Sequence, residues 1–409
     1  MTWRTLTIGE FVDTGAADIQ TGPFGTQLSA RDYVDEGTPV INVRNIGYGG
    51  LKADKLEFVT EKTTERLAAH LLEPRDIVFG RKGAVDRHLY VSEGQEHWMQ
   101  GSDCIRLRFH TDEIIPRFVS YLFLHEAHQQ WMLVQSGNKA TMASLNHDII
   151  KRISLHVPAP AVQKEIVTTL SAYDNLIDNN QRRMALLEEA ARQLYREWFV
   201  RLRFPGHEHA RITNGVPKGW DRKPVFDAVE ILSGGTPKTT APEYWDGNIP
   251  FYTPKDASDG FWVTDCERRI TELGLQRCNS RLYPKETVFI SARGTVGKLN
   301  LAQSPMAMSQ SCYALVGKEG LSQLFVFMAM QAAVDAFRQH AVGAVFDAIV
   351  VDTFKRIYLV VPEPKIVRIF EEFIRPVLAQ LENLTLQNQK LRAARDLLLP
   401  RLMSGEIAV

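Results

Sequence analysis

The chain has 409 residues, 48 Lys and Arg against 48 Asp and Glu, and a hydrophobic fraction of 44%. That length accommodates two or more independent cores, and the neutral balance excludes a uniformly basic surface that coats nucleic acid by charge alone. No apolar run reaches membrane-spanning length, and Met1-Thr-Trp-Arg4 opens without the basic and apolar blocks of a signal peptide, so the expected location is the cytoplasm with no membrane contact.

Residues 1–158 are rich in Gly, Pro, Thr and aromatics and carry short β-like runs such as Pro39–Val43. A basic-Gly turn, Lys82-Gly83, follows the run Leu72–Phe79, with Arg81 and Arg87 beside it. His125 and His128 are spaced by three, whereas a zinc-protease helix needs four, so this stretch reads as a solvated helix face. Cys104, Cys266, Cys278 and Cys312 lie far apart and read as free buried thiols, because structural zinc needs clustered ligands. After Pro160 comes a Gly-free helical segment within 159–203. Its apolar positions Ile166, Leu170, Tyr173, Ile177, Asn180, Met184, Leu187, Ala191, Leu194 and Trp198 step by fours and threes, the period of a coiled-coil seam.

Residues 204–362 repeat the first plan, and 363–409 repeat the helix. Ile150–Pro160 matches Phe354–Pro364 at an offset of 204 residues. Leu72–Phe79 echoes Leu282–Phe289, Lys82-Gly83 echoes Arg293-Gly294, and Cys104 echoes Cys312, all in the same order. On this register the basic-Gly turn of the first copy is one residue shorter than that of the second. The second helix continues the seam through Ile374, Val377, Leu381, Leu384, Asn388, Leu391, Arg395, Leu398 and Leu402. Pro376 is expected to kink this helix or split off a short leading one. One Asn sits in each seam, either as a tolerated polar residue or as a device that fixes register. The predicted fold class is α+β: two globular α/β-mixed domains joined by two long helices in an antiparallel coiled coil, an internal pseudo-two-fold repeat with the domains at opposite ends.

Several of these segments resemble the target-recognition domains of type I restriction-modification specificity subunits. The first copy carries Gly22-Pro-Phe-Gly-Thr-Gln-Leu28. The second carries Ser233-Gly-Gly-Thr-Pro-Lys238, Tyr244-Trp245, Ile249–Asp256, Tyr283–Lys298 and Pro305–Ser311. Leu194–Val200 and Leu397–Ile407 are similar to that family's spacer helix and chain ending. The resemblance covers essentially the whole chain. In the first domain Asn42-Val-Arg-Asn45 stands where the second has Thr253-Pro-Lys-Asp256, a divergence that fits two domains reading different sequences. The resemblance implies domain 1 at 1–158, a spacer helix at 159–203, domain 2 at 204–362 and a C-terminal spacer helix at 363–409. It further implies that the domains read a bipartite DNA target. Two methyltransferase (M) subunits and restriction/translocase (R) subunits would be the partners, and S-adenosylmethionine, ATP and Mg2+ would belong to them.

The chain's own motifs fit a recognition subunit without catalysis. An adenine methyltransferase needs an Asn/Asp-Pro-Pro-aromatic turn, and no such tetrapeptide occurs. A phosphate loop would need Gly at 292 and Ser or Thr at 299, where the chain has Ala292 and Leu299. Residues 1–158 hold 17 basic and 20 acidic groups and residues 204–362 hold 17 and 16, so cations must act locally and DNA binding must lean on a partner. The candidate DNA contacts are Arg81, Lys82 and Arg87 in the first domain and Lys255, Arg293 and Lys298 in the second, Arg reading guanine and Lys anchoring phosphate. The alternative is that the basic-Gly turns are structural and that Lys255 and Asp256 form a capped turn. The seam from Ile166 to Trp198 would span roughly 48 Å at about 1.5 Å per residue, which limits half-site centres to about 14 base pairs apart.

Overall fold

The computed structural model describes residues 3–53, 55–137, 143–213, 215–340 and 348–407. They form two compact units, one of residues 1–175 with 392–409 and one of residues 176–391.

The first unit is built on a five-stranded sheet: β1 (Ala17–Thr21), β2 (Tyr48–Gly49), β3 (Ile77–Gly80), β4 (His88–Tyr90) and β5 (Cys104–Phe109), in the order β1-β5-β3-β4-β2. The period of two sorts the side chains of β5. Ile105 and Leu107 face a core shared with Phe118 and Phe123 of the helix Pro116–Phe123. Arg106 and Arg108 pair with Asp18 and Asp76, each at 2.6 Å. A four-stranded sheet containing Thr38–Ile41 packs its own small core of Leu28, Val40, Val59, Leu67 and Met99.

The second unit repeats the five-stranded sheet with β6 (Val229–Ser233), β7 (Trp262–Val263), β8 (Val288–Ser291), β9 (Leu299–Ala302) and β10 (Cys312–Gly317), in the order β6-β10-β8-β9-β7. Its main core gathers Val288, Ile290, Leu301 and Leu315 under the helix Gln323–His340, whose residues 324–330 are buried.

The two sheets correct the register of the sequence repeat. Cys104 pairs with Gly80 in the first sheet, and Cys312 pairs with Ser291 in the second. Phe79 is therefore the counterpart of Ile290, and Val78 that of Phe289. A slip of one residue exchanges the faces of a strand: Phe79 lies in the large core of its unit, whereas Phe289 lies in a separate cluster with Tyr252 and Tyr283. With this register the turns 81–87 and 292–298 are equal in length, contrary to the shorter first turn expected above.

Helix α1 (Pro160–Tyr195) runs for 36 residues and closes in a single π-helical turn, Arg196–Val200. Helix α2 (Pro364–Met403) runs for 40. Proline at each start is in place, since the missing N–H is one that a helix leaves unbonded there anyway. Within the second unit the seam side chains turn inward as the period requires. Ile177, Asn180, Trp198, Leu381, Leu384 and Asn388 are buried, and Met184, Leu187, Leu194 and Leu391 are half-buried. Asn180 Nδ2 donates to Asn388 Oδ1 at 2.9 Å, and Met184 meets Thr385. The numbering rises on one helix as it falls on the other, so the pair is antiparallel here. Within the first unit, Ile166 and Leu170 share a core with Leu399 and Leu402, against which Leu398 packs. Asp174 accepts from Arg117 at 2.8 Å and from Arg395 at 2.7 Å.

Pro376 does not split the helix: α2 is continuous through it and through Pro400. Pro376 lies on the exposed face, where water can satisfy the carbonyl it leaves unbonded, while Ile374, Leu378 and Leu381 hold the opposite face in the core. An interior proline costs about 3 kcal/mol, and that burial offsets it.

The seam asparagines are bonded to each other, so removing one should cost more than removing both. Asn388→Ala should lose about 1–3 kcal/mol by leaving the buried Asn180 amide short of a partner. Replacing both by Leu should be neutral or stabilising. Urea unfolding of the single and double variants measures this, and additive losses would show that the two amides are not coupled.

His125 and His128 do not form a solvated face. His125 Nδ1 accepts from Ala127 N at 3.2 Å and caps the helix Glu126–Ser136. The His128 ring stacks on Phe123 with centroids 4.4 Å apart, and burial holds its pKa down to about 4. Its imidazole belongs to the apolar layer because helical spacing places it one turn from Trp131. The thiols of Cys104, Cys266 and Cys312 are free and buried, and Cys278 is partly exposed. Burial pushes Cys104 and Cys312 up to about 12, which keeps them as inert thiols.

Candidate nucleic-acid interface

Three loops meet at one end of the strands of each five-stranded sheet. In the first unit they are the loop after β1 that begins at Gly22, the turn 42–45 after Thr38–Ile41, and the turn 81–87 between β3 and β4. Gly22 is required by close approach: a Cβ there would lie 1.9 Å from Gly101 O. Gly101 in turn lies against the Ile41 carbonyl and the Asn42 side chain, and Gly80 lies against the Val43 side chain, so the starts of the three loops pack closely. The second unit repeats the device. A Cβ on Gly234 would lie 2.2 Å from Ser309 O, and Thr295 Oγ1 donates to Pro254 O at 2.9 Å, tying the turn 292–298 to the turn 253–256.

Each basic-Gly turn reverses at a glycine with φ of +76°, Gly83 and Gly294, a conformation that L side chains rarely adopt. The turns are equal in length and share the reversal at that glycine; the second reverses again at Gly297, with φ of +80°, where the first has Asp86. Their side chains differ: Arg81 stands opposite Ala292, Lys82 opposite Arg293, and Arg87 opposite Lys298. Arg293 is exposed and makes no ion pair or side-chain hydrogen bond among the described residues. Lys298 is half-buried and paired with Asp259 at 2.8 Å. Lys82 reaches Asp103 at 3.7 Å, a loose and exposed contact of little stabilising value. Arg81 and Arg87 lie over aromatic rings, Phe24 and Tyr48.

The Thr253-Pro-Lys-Asp256 stretch is a capped turn. Asp256 Oδ2 accepts from Thr253 N at 2.8 Å and from Thr253 Oγ1 at 2.7 Å, and its Oδ1 accepts from Glu267 N at 2.8 Å. Asp256 therefore shapes the loop, and Lys255 projects from it, 80% exposed, with only a 3.9 Å approach to Glu267. In the first unit the corresponding Asn42 turn is closed by Asn45, and Arg44 is paired with Glu57 at 2.8 Å.

The candidate contacts thus fall into two groups, Arg81, Lys82 and Arg87 on one turn, and Lys255, Arg293 and Lys298 on two turns held together. Phe24 and Tyr48, which flank the turn 81–87, are not among the contacts expected from sequence. Both are exposed aromatics, at 58% and 49%, between glycines of the sequence, and an aromatic flanked by glycines in a loop was the available signal. Among the described residues no group of three or more His, Cys, Asp or Glu is placed to hold a metal ion, and no helix is long and apolar enough to cross a membrane.

The model of the type I restriction modification DNA specificity domain matches residues 2–189 and again residues 217–389. The specificity subunit of the type I restriction enzyme HindI from Haemophilus influenzae is 19% identical over 384 residues, which cover 78% of this chain and 84% of that protein. The MjaIX specificity subunit from Methanocaldococcus jannaschii is 23% identical over 307 residues, covering 73% and 70%. The crystal structure of the type I restriction-modification S subunit from M. genitalium shares the fold, with a TM-score of 0.59 at 15% identity over 98% of this chain and 96% of that one. With the family's domain matched in two copies over most of its length, this chain belongs to the specificity subunits of type I restriction-modification systems, the subunits of DNA target recognition.

Proposed function

We propose that the first and second domains each read one half of a split DNA target through the loops described above. The observation that carries this is the pair of equal-length basic-Gly turns that reverse at a matched glycine, Gly83 and Gly294, and carry different side chains, Arg81/Ala292, Lys82/Arg293 and Arg87/Lys298. A shared scaffold with exchanged contact residues is what two readers of different sequences require. The paired helices α1 and α2 hold two methyltransferase subunits and set the gap between half-sites, and restriction subunits join that core. Methyl transfer from S-adenosylmethionine and ATP- and Mg2+-dependent cleavage are carried by those partners, and this chain supplies recognition without turnover.

The near-neutral charge of both domains implies weak binding by the chain alone. Mixed with its methyltransferase subunits, it should bind its target far more tightly than an unrelated duplex in a gel-shift titration at fixed salt. Equal affinity for both duplexes in the complete complex would overturn the reading.

Charge reversal at the two exposed turns should separate base contacts from phosphate contacts. Arg293→Glu should weaken recognition of one half-site by roughly 1–3 kcal/mol of discrimination and leave the other unaltered, as expected of a base-reading arginine. Arg81→Glu should do the same for the other half-site. Methylation rates on targets altered in each half measure both, and unchanged specificity in each variant would make the turns purely structural.

A further inference from the structure

The turn 81–87 is flanked by two exposed rings, and each ring carries an arginine. The Arg81 guanidinium lies 5.5 Å from the Phe24 centroid, and the Arg87 guanidinium 5.3 Å from that of Tyr48. Other arginines of this domain face carboxylates: Arg106 on Asp18 and Arg108 on Asp76, each at 2.6 Å. The difference is chemical. A carboxylate fixes a guanidinium by occupying its N–H donors and cancelling its charge. An aromatic face fixes it from above and leaves the in-plane donors open.

The surroundings keep those donors open. The neighbouring carboxylate, Asp86, is engaged by the Tyr48 hydroxyl, which donates to Oδ2 at 2.7 Å. Arg87 Nε is enclosed without a hydrogen-bond partner among the described residues, so only the terminal nitrogens of Arg87 can serve as its donor pair. The backbone of Arg81 is pinned on both sides, N to Asp103 O at 2.7 Å and O from Leu145 N at 2.8 Å. The matching turn of the second domain lacks the device, although Arg268 lies over the Trp245 ring elsewhere in that domain, 3.5 Å from its centroid. Counting from the matched glycines Gly22 and Gly234, Thr236 stands in place of Phe24. Ala292 stands in place of Arg81, and Lys298 is paired with Asp259 at 2.8 Å.

We propose that Phe24 and Tyr48 are positioning residues that hold Arg81 and Arg87 as two preoriented bidentate donors for guanine, a specificity element of the first domain's basic-Gly turn. The proposal rests on the DNA-reading function given above. Guanine presents N7 and O6 side by side in the major groove, and a guanidinium fixed in plane matches them with two parallel hydrogen bonds.

The test uses the complete complex of this chain with its methyltransferase subunits, and measures methylation rates on the native target and on every single-base variant of both half-sites. The wild-type complex should lose at least about fivefold in rate when either guanine read by this pair is replaced. Phe24→Ala should abolish that discrimination at one position and leave the ratios at the other positions, including the second half-site, unchanged. Tyr48→Ala should do so at a different position. Phe24→Tyr should restore the wild-type pattern, and Arg81→Lys should reproduce that of Phe24→Ala. A Phe24→Ala complex that discriminates as the wild type does, or that weakens equally on all targets, overturns the positioning role. A wild-type complex indifferent to every substitution in one half-site overturns the DNA-reading assignment itself, so the two failures are distinguishable.

Discussion

Replacing residues 1–158 with the corresponding domain of another specificity subunit should change one half of the recognised target completely and leave the other half as it was. The expectation follows from how the first unit is closed. Its sheet, its loops and its core of Phe79, Ile105, Phe118 and Phe123 are its own, and the helix residues that complete it, Ile166, Leu170, Leu399 and Leu402, are apolar positions that a homologous domain meets with the same kind of surface. The retained residues 176–391 keep a separate core. Methylated-base sequencing of cells carrying the hybrid and its methyltransferase reads the result directly. If both halves of the motif changed together, the domains would not be independent readers.

The second large effect is on stability. Phe370 of α2 is fully buried among Tyr195, Trp198 and Phe199, with ring centroids 6.1, 5.7 and 5.0 Å away. This cluster is where the end of α1, the start of α2 and the helix Gln323–His340 meet, through Phe325. Phe370→Ala removes the ring from the centre of that contact and should cost about 3–5 kcal/mol. The loss should fall on the second unit, so that limited proteolysis cuts within 176–391 at temperatures where residues 3–137 stay protected. Phe373, 57% exposed one turn further along, should lose less than about 1 kcal/mol in the same substitution. Comparable losses at 370 and 373 would contradict the packing described.

Much of the architecture was legible because it rests on periods. The seam repeats every 3.5 residues over both helices, and the side chains so identified are buried, as at Ile177, Leu381 and Leu384, or half-buried, as at Met184 and Leu391. The duplication was legible from four short matches in one order. What escaped depends on information that a one-dimensional pattern lacks. The match of Leu72–Phe79 to Leu282–Phe289 followed residue identity, Phe to Phe. The sheets follow hydrogen-bond register, and there Phe79 stands with Ile290. Pro376 suggested a break because propensity is local, whereas the burial of Ile374 and Leu378 decides the helix. His128 was read as solvated because its spacing excluded a metal, and spacing says nothing of the Phe123 ring it stacks on.

At the site, the positions of the basic-Gly turns were legible and the environments of their cations were not. Arg81, Arg87 and Lys298 look alike as letters. In the structure two lie over aromatic rings and one is paired with Asp259. Lys255 and Asp256 were left open between contact and cap, and the three hydrogen bonds accepted by Asp256 make it the cap of the turn that carries Lys255. The partners of Arg81, Arg87 and Lys298 lie 57, 39 and 39 positions away in the chain, and only folding brings them together.

The most direct test of the account is the methylated motif itself. Single-molecule sequencing of modified bases, in cells that carry this chain and its cognate methyltransferase and otherwise lack methylation, should reveal two short specific blocks separated by a fixed stretch of unspecified bases. A single uninterrupted motif would contradict the claim that the two repeated domains each read half of one target.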